Sequence, residues 1–111
     1  MIEQVLIKYL NNKLGVPVYM EHPSEKPASY VVLEKVGGGR RNYLKSATIA
    51  LQSIASTLEQ AAFLNEKVKK CMDELIELPR VSKSELNSDY NFTDSTTKTY
   101  RYQAVYDILY C

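Results

Sequence analysis

Residues Leu33–Leu51 read "LEKVGGGRRNYLKSATIAL", three glycines and two arginines set between two apolar runs. A Walker-type phosphate loop needs Gly-x-x-x-x-Gly-Lys-[Ser/Thr] between a strand and a helix, because the helix N-terminus holds the anion. Here the run after the arginines, "LKSATIALQSIA", puts Ala47, Ile49 and Leu51 on one face in strand alternation. No helix follows the glycines. The run before them, "YVVLEKV", is β-branched and apolar, which also predicts a strand. The stretch is therefore expected to be a β-hairpin. Its connection from Gly37 to about Asn42 is too long for a two-residue turn and reads as a flexible, positively charged, projecting tip.

The elements on either side of this hairpin follow from the apolar spacing. Ile2, Leu6, Tyr9 and Leu10, with Val5, recur at helical intervals, so residues 2–13 are expected to form an amphipathic helix stopped by Gly15. "VPVYME" predicts a short extended run that Pro17 confines to an edge or a strand start. "HPSEKPAS" predicts a loop over residues 21–29. After the hairpin, Ser56 or Thr57 is expected to open a second helix, and Ser56 paired with Glu59 resembles a capping box one register from ideal. Ala61, Leu64, Val68, Cys71, Leu75 and Leu78 then form a long apolar stripe that Pro79 should end after about six turns. "RVSKSEL" alternates weakly as a strand, and "NSDYNFTDSTTK" reads as a polar loop. In "TYRYQAVYDILYC", Tyr100, Tyr102, Ala104, Tyr106, Ile108 and Tyr110 share one strand face, which is expected to pack on the long helix.

The order α-β-β-β-α-β-β predicts an α+β domain spanning 1–111. A mainly antiparallel four- to five-stranded sheet would carry the long helix and the short N-terminal helix on one face. A chain of 111 residues suits one domain with its own core. Fourteen basic and thirteen acidic residues leave a net charge of +1, so no global field draws the chain to DNA or anionic lipid. No run of about 18–20 apolar residues predicts a membrane span, and the first residues lack the features of a signal peptide, so folding in a cytoplasm is expected.

Chemistry finds little to build on. Two cysteines and one histidine fall short of the four ligands of a structural zinc site, and no cofactor is expected. Cys71 falls on the helix stripe and reads as a small buried hydrophobe. A Cys71–Cys111 disulfide is conceivable but unexpected in a reducing compartment. Asp73, Glu74 and Glu77 lie among Lys67, Lys69 and Lys70 and read as a solvated ion-pair face. His22 has no Ser, Cys or Asp partner that the sequence identifies. With no nucleophile, base and orienting group to assemble, a non-enzymatic protein is expected.

The layout as a whole resembles the tail terminator, or tail-completion, proteins of long-tailed bacteriophages and prophages. The resemblance rests on Pro27-Ala28-Ser29-Tyr30-Val31-Val32 opening the sheet, and on Ile49-Ala50-Leu51-Gln52-Ser53-Ile54 running into Ala55-Ser56-Thr57. The closing "TKTYRYQAVYDILY" also fits. The glycine-rich "GGGRR" is a departure from the family pattern.

The resemblance implies a structural protein that caps or completes the tail tube and joins it to the head. It would act as a homo-oligomeric ring, commonly a hexamer, with a tail tube protein and a head-completion protein as partners and no membrane. Such a protein is found first in the host cytoplasm and then in the virion. A ring requires one patch to meet a different patch on the next copy. The candidates are the tip (Gly37, Gly38, Gly39, Arg40, Arg41 and Lys45) and the 21–29 loop (His22, Glu25 and Lys26). Copies of the tip around a channel would tolerate passing DNA without reading its sequence. The competing expectations are a small bacterial binding module acting as monomer or dimer, and a neighbouring head–tail connector.

Overall fold

The computed structural model describes residues 1–111. Helix α1 (Ile2–Leu14) turns Ile2, Leu6, Tyr9, Leu10 and Leu14 inward and ends at Gly15, whose φ of 73° is the left-handed conformation that closes a helix without a Cβ clash. Strand β1 (Val18–Tyr19) is brief. Strands β2 (Tyr30–Arg41) and β3 (Leu44–Ala55) then make the hairpin, and helix α2 (Leu58–Asp73) follows. A single 3-10 turn, Leu75–Glu77, leads into β4 (Val81–Asn91) and β5 (Tyr100–Tyr110).

The five strands lie in the order β1-β2-β3-β5-β4. The α+β class and the element order agree with the sequence reading. The sheet, however, is mixed: β1 runs parallel to β2, whereas every other pair is antiparallel. Pro17 explains how so short a strand is held, since its carbonyl accepts the Val31 N–H at 2.9 Å although the proline has no N–H to give.

Three local expectations are corrected. Of the two candidate openers Thr57 caps α2, its hydroxyl accepting the Gln60 N–H at 3.1 Å, and the Ser56–Glu59 box does not form because the Ser56 hydroxyl donates to the Ala28 carbonyl. The α-helix ends at Asp73, between four and five turns, and not at Pro79. Pro79 instead forces Leu78 to an extended conformation, and the 3-10 turn fills the gap. Strand β4 runs through Asn91, well into the stretch read as a polar loop, because β5 offers it a partner along its whole length. Thr57→Ala is expected to cost about 1 kcal/mol, readable as a lower denaturation midpoint, by orphaning the Gln60 N–H.

One continuous core lies between the helices and the sheet. It joins Leu6 and Leu10 of α1, Leu64, Val68 and Met72 of α2, and Ile49, Leu51, Ala104, Tyr106 and Ile108 of the central strands. Met72 takes the buried position that the stripe gave to Cys71. Cys71 lies half-buried at the margin with its thiol free, pushed up first by burial, and Cys111 is also free and exposed. The tyrosine face of β5 packs as expected at Tyr106 and Tyr110, whereas Tyr100 and Tyr102 are half-buried. On the opposite face of the sheet a smaller cluster joins Tyr30, Val32 and Ile54, with Tyr19 against it.

Candidate functional site

The glycine run is strand, not loop. Gly37, Gly38 and Gly39 pair with Thr48, Ala47 and Ser46, and Arg40 and Arg41 pair with Lys45 and Leu44. The ladder shifts by one residue between Lys35 and Gly37, a bulge that absorbs Val36. The connection is then only Asn42 and Tyr43. Asn42 adopts φ = 59°, within reach of an asparagine, which allows a two-residue turn. The expectation of a long flexible tip is thereby corrected. The ladder continues because the glycines keep their backbone N–H and C=O groups, and Gly37 and Gly39 direct theirs to β3 despite the low strand propensity of glycine. Beyond the last β3–β5 pair, Lys45 with Tyr110, only the turn and its flanking residues project, and Tyr43 stands 94% exposed.

At Gly38 the side-chain-free backbone has a local use. A Cβ there would lie 2.8 Å from Lys35 Cε and 3.1 Å from the Ser46 carbonyl oxygen, so the Lys35 side chain lies over it on the helix side. That brings Lys35 to a cleft of about 330 Å³ at this end of the sheet, lined also by Glu3, Arg40, Lys45, Arg80 and Tyr110. Four cations face one acid there. None of the four takes part in an ion pair, and Arg80 spends its donors on the Cys111 carbonyl at 3.3–3.4 Å. Lys35 and Arg80 escaped the sequence reading. Arg80 reaches Lys45 only through the pairings of β4 with β5 and of β5 with β3, which no local pattern announces.

The 21–29 loop sits at the other end. Tyr30, which follows it, pairs with Ile54 at the far end of the hairpin from Arg41. The molecule is 44 Å in its longest dimension, so the structure does not bring His22, Glu25 and Lys26 together with the tip. His22 is exposed, as expected of a loop histidine, but it does have a partner. Its ring stands edge-on to Tyr30, with Nδ1 3.4 Å from the Tyr30 hydroxyl. Tyr19 packs on the same tyrosine at 6.0 Å. Glu25 and Lys26 are exposed and take part in no ion pair.

The carboxylates of α2 and of the 3-10 turn pair within the fold. Asp73 accepts the Tyr106 hydroxyl at 2.8 Å, and Glu77 lies 3.9 Å from Lys13. Lys69 bridges Glu66 and Asp89 at 2.8 and 2.6 Å, and those bonds hold its ammonium above the usual lysine range. Asn65 also donates to Asp89, tying α2 to β4. No three His, Cys, Asp or Glu side chains converge as a ligand set.

Buried tyrosines give the alkaline behaviour. Burial, then the neighbouring Cys71, Glu74 and Glu77, pushes Tyr9 up to about 12 from 10.0. Tyr106 is raised first by burial and then by its bond to Asp73, and Tyr30 is raised by burial against the opposing charge of Arg101. A folded-state pKa above the unfolded one means that the stabilisation is fully present below about pH 10 and is lost as pH climbs toward 12. Ultraviolet titration should show these three ionising late and together with unfolding, and Tyr9→Phe should flatten the loss of stability across that window.

No family model matches the chain, and no curated protein matches it.

Proposed function

We propose that this chain is a non-catalytic assembly protein that forms a homo-oligomeric ring at the end of a long-tailed phage's tail tube and joins it to the head. The observation that carries this reading is the basic end of the sheet. Lys35, Arg40 and Lys45 gather around one cleft with no ion pair to a side-chain carboxylate, and Arg80 lines it while bonded to the Cys111 oxygen, on a chain whose net charge is only +1. Charges left unpaired in one place, when the rest of the surface is balanced, suit a partner that brings the opposite sign. Repeated around a ring, they suit a channel that polyanionic DNA crosses without sequence recognition. The resemblance in element order and in the Pro27–Val32 and Ile49–Thr57 segments supports the same role.

The test is genetic. Deleting the gene from a long-tailed phage that carries it should yield filled heads and separate tails of abnormal length in electron micrographs. Normal joined particles would sink the reading and favour the stand-alone binding module.

A further inference from the structure

The sheet has two open edges, and the geometry points to their pairing with each other between successive copies of this chain, β2 of one against β4 of the next. This inference rests on the ring reading and names the interface that would build it.

The first edge is β2. Its outer side is covered by β1 only at Val31 and Val32, so from Leu33 to Arg41 no strand lies beside it. The second edge is β4, which has no strand on its outer side; only at Val81 is that side occupied, by the N–H bond to the Leu78 carbonyl. The antiparallel pairings make β2 and β5 run one way and β3 and β4 the other, so β4 of one copy meets β2 of the next antiparallel.

Height along the strands also matches. Gly38 pairs with Ala47, Ala47 with Ile108, and Ile108 with Ser84, so Gly38 and Ser84 stand level on opposite edges. Gly37 stands level with Glu85 by the same route, through Thr48 and Asp107. Rotation about an axis along the strands, the operation that makes a ring, preserves these heights.

The hydrogen-bonding phase matches too. The Val31 N–H points away from β3, toward Pro17, and the Phe92 N–H points toward Arg101 of β5. Strict alternation along each ladder, shifted by one at the bulges, turns the N–H and C=O of both Gly38 and Ser84 outward. Two level residues that both face outward are what a new antiparallel hydrogen-bonded pair requires.

Residue types favour this head-to-tail choice. Glu34–Arg41 carries three cations against one acid, so two β2 edges would repel each other. Bulges at Val81/Lys83 and Leu86/Ser88 break β4 into short regular pieces, a poor match for a second β4 carrying the same breaks. Between those bulges lies Lys83–Leu86, the piece level with the glycines. Glu85 there shares its charge only with Lys83. Gly37, Gly38 and Gly39 carry no side chains of their own on either face to clash with those of an incoming strand.

Single-cysteine chains test the pairing, in a background with Cys71→Ser and Cys111→Ser. A Cβ at Gly37 meets nothing nearer than 3.8 Å, and Glu85 is exposed, so both positions accept cysteine. Gly37→Cys and Glu85→Cys chains are mixed and treated with a short bis-maleimide, and the parent chain is followed by sedimentation and negative-stain imaging. A mixed covalent dimer should dominate and fall at least tenfold when Tyr90→Cys, far along the same edge, replaces Glu85→Cys. Oligomers without that cross-link, or with equal cross-linking at Tyr90, would overturn edge pairing and leave the ring reading standing. A selective cross-link in open chains that never close would keep the edge pairing and sink the ring. A parent chain that stays monomeric at every concentration would sink both.

Discussion

Tyr106→Ala is expected to lower the melting temperature by roughly 15–20 °C, the largest loss from any single side chain in the sheet. Tyr106 is fully buried at the centre of β5 among residues of β3 and α2. Removing its ring empties a space that the rigid ladders on both sides cannot collapse to fill, which costs about 3–5 kcal/mol. That is a large share of the roughly 6–16 kcal/mol a chain of this length commands. Its hydroxyl adds a second role, donating to Asp73 at 2.8 Å and lying 3.1 Å from the Lys69 carbonyl. Tyr106→Phe keeps the ring and leaves those acceptors without it, so about 1 kcal/mol should be lost. Phe63→Ala, at a site 63% exposed, is the control and should change stability by less than about 0.5 kcal/mol. Equal melting of the Tyr106→Ala and Phe63→Ala chains would remove Tyr106 from its central place.

The second large effect is electrostatic and rests on the proposed role. Arg40→Glu/Arg41→Glu/Lys45→Glu should leave the fold intact, because all three side chains are exposed on paired backbone. It should abolish retention of double-stranded DNA by the assembled ring. For the parent protein, three contacted phosphates per engaged subunit make log K fall against log salt with a slope of about −3. Retention should therefore weaken steeply between low and physiological salt, with no preference among sequences. An unchanged salt slope in the reversed variant would show that the basic end meets something other than DNA.

Local rules made much of this fold legible. Helix α1, its Gly15 stop, the hairpin partners and the β5 face all follow from apolar period and one left-handed glycine. What escaped was set by distant partners. The glycines looked like a loop because their propensity is poor, yet β3 continues opposite them and the ladder outweighs propensity. "NSDYN" looked like a loop because it is polar, and β5 drew it into a strand. The parallel β1–β2 pair is only two residues long, with the Pro17 carbonyl extending it by a bond to the Val31 N–H. At the candidate site the sequence supplied Arg40 and Lys45, while Arg41 falls outside the cleft and Lys35 and Arg80 entered it only through the bulge and the strand order. His22, Glu25 and Lys26 read as a patch separate from the tip because both segments project beyond the core, and the strands place the two at opposite ends.

The strand order also sets a sequence of events in time. Strand β5 comes after β4 in the chain yet sits between β3 and β4, so β4 has no place in the sheet until β5 has arrived. The β2–β3 hairpin and α2 can gather as soon as they leave the ribosome, whereas the β3–β5 register spans the chain from Lys45 to Tyr110. Long-range closure of that kind slows folding and leaves unpaired strands waiting. Throughout synthesis, then, β3 exposes the side that β5 will occupy. A truncated or stalled chain would present a longer open edge than the finished protein, one prone to capture the wrong partner.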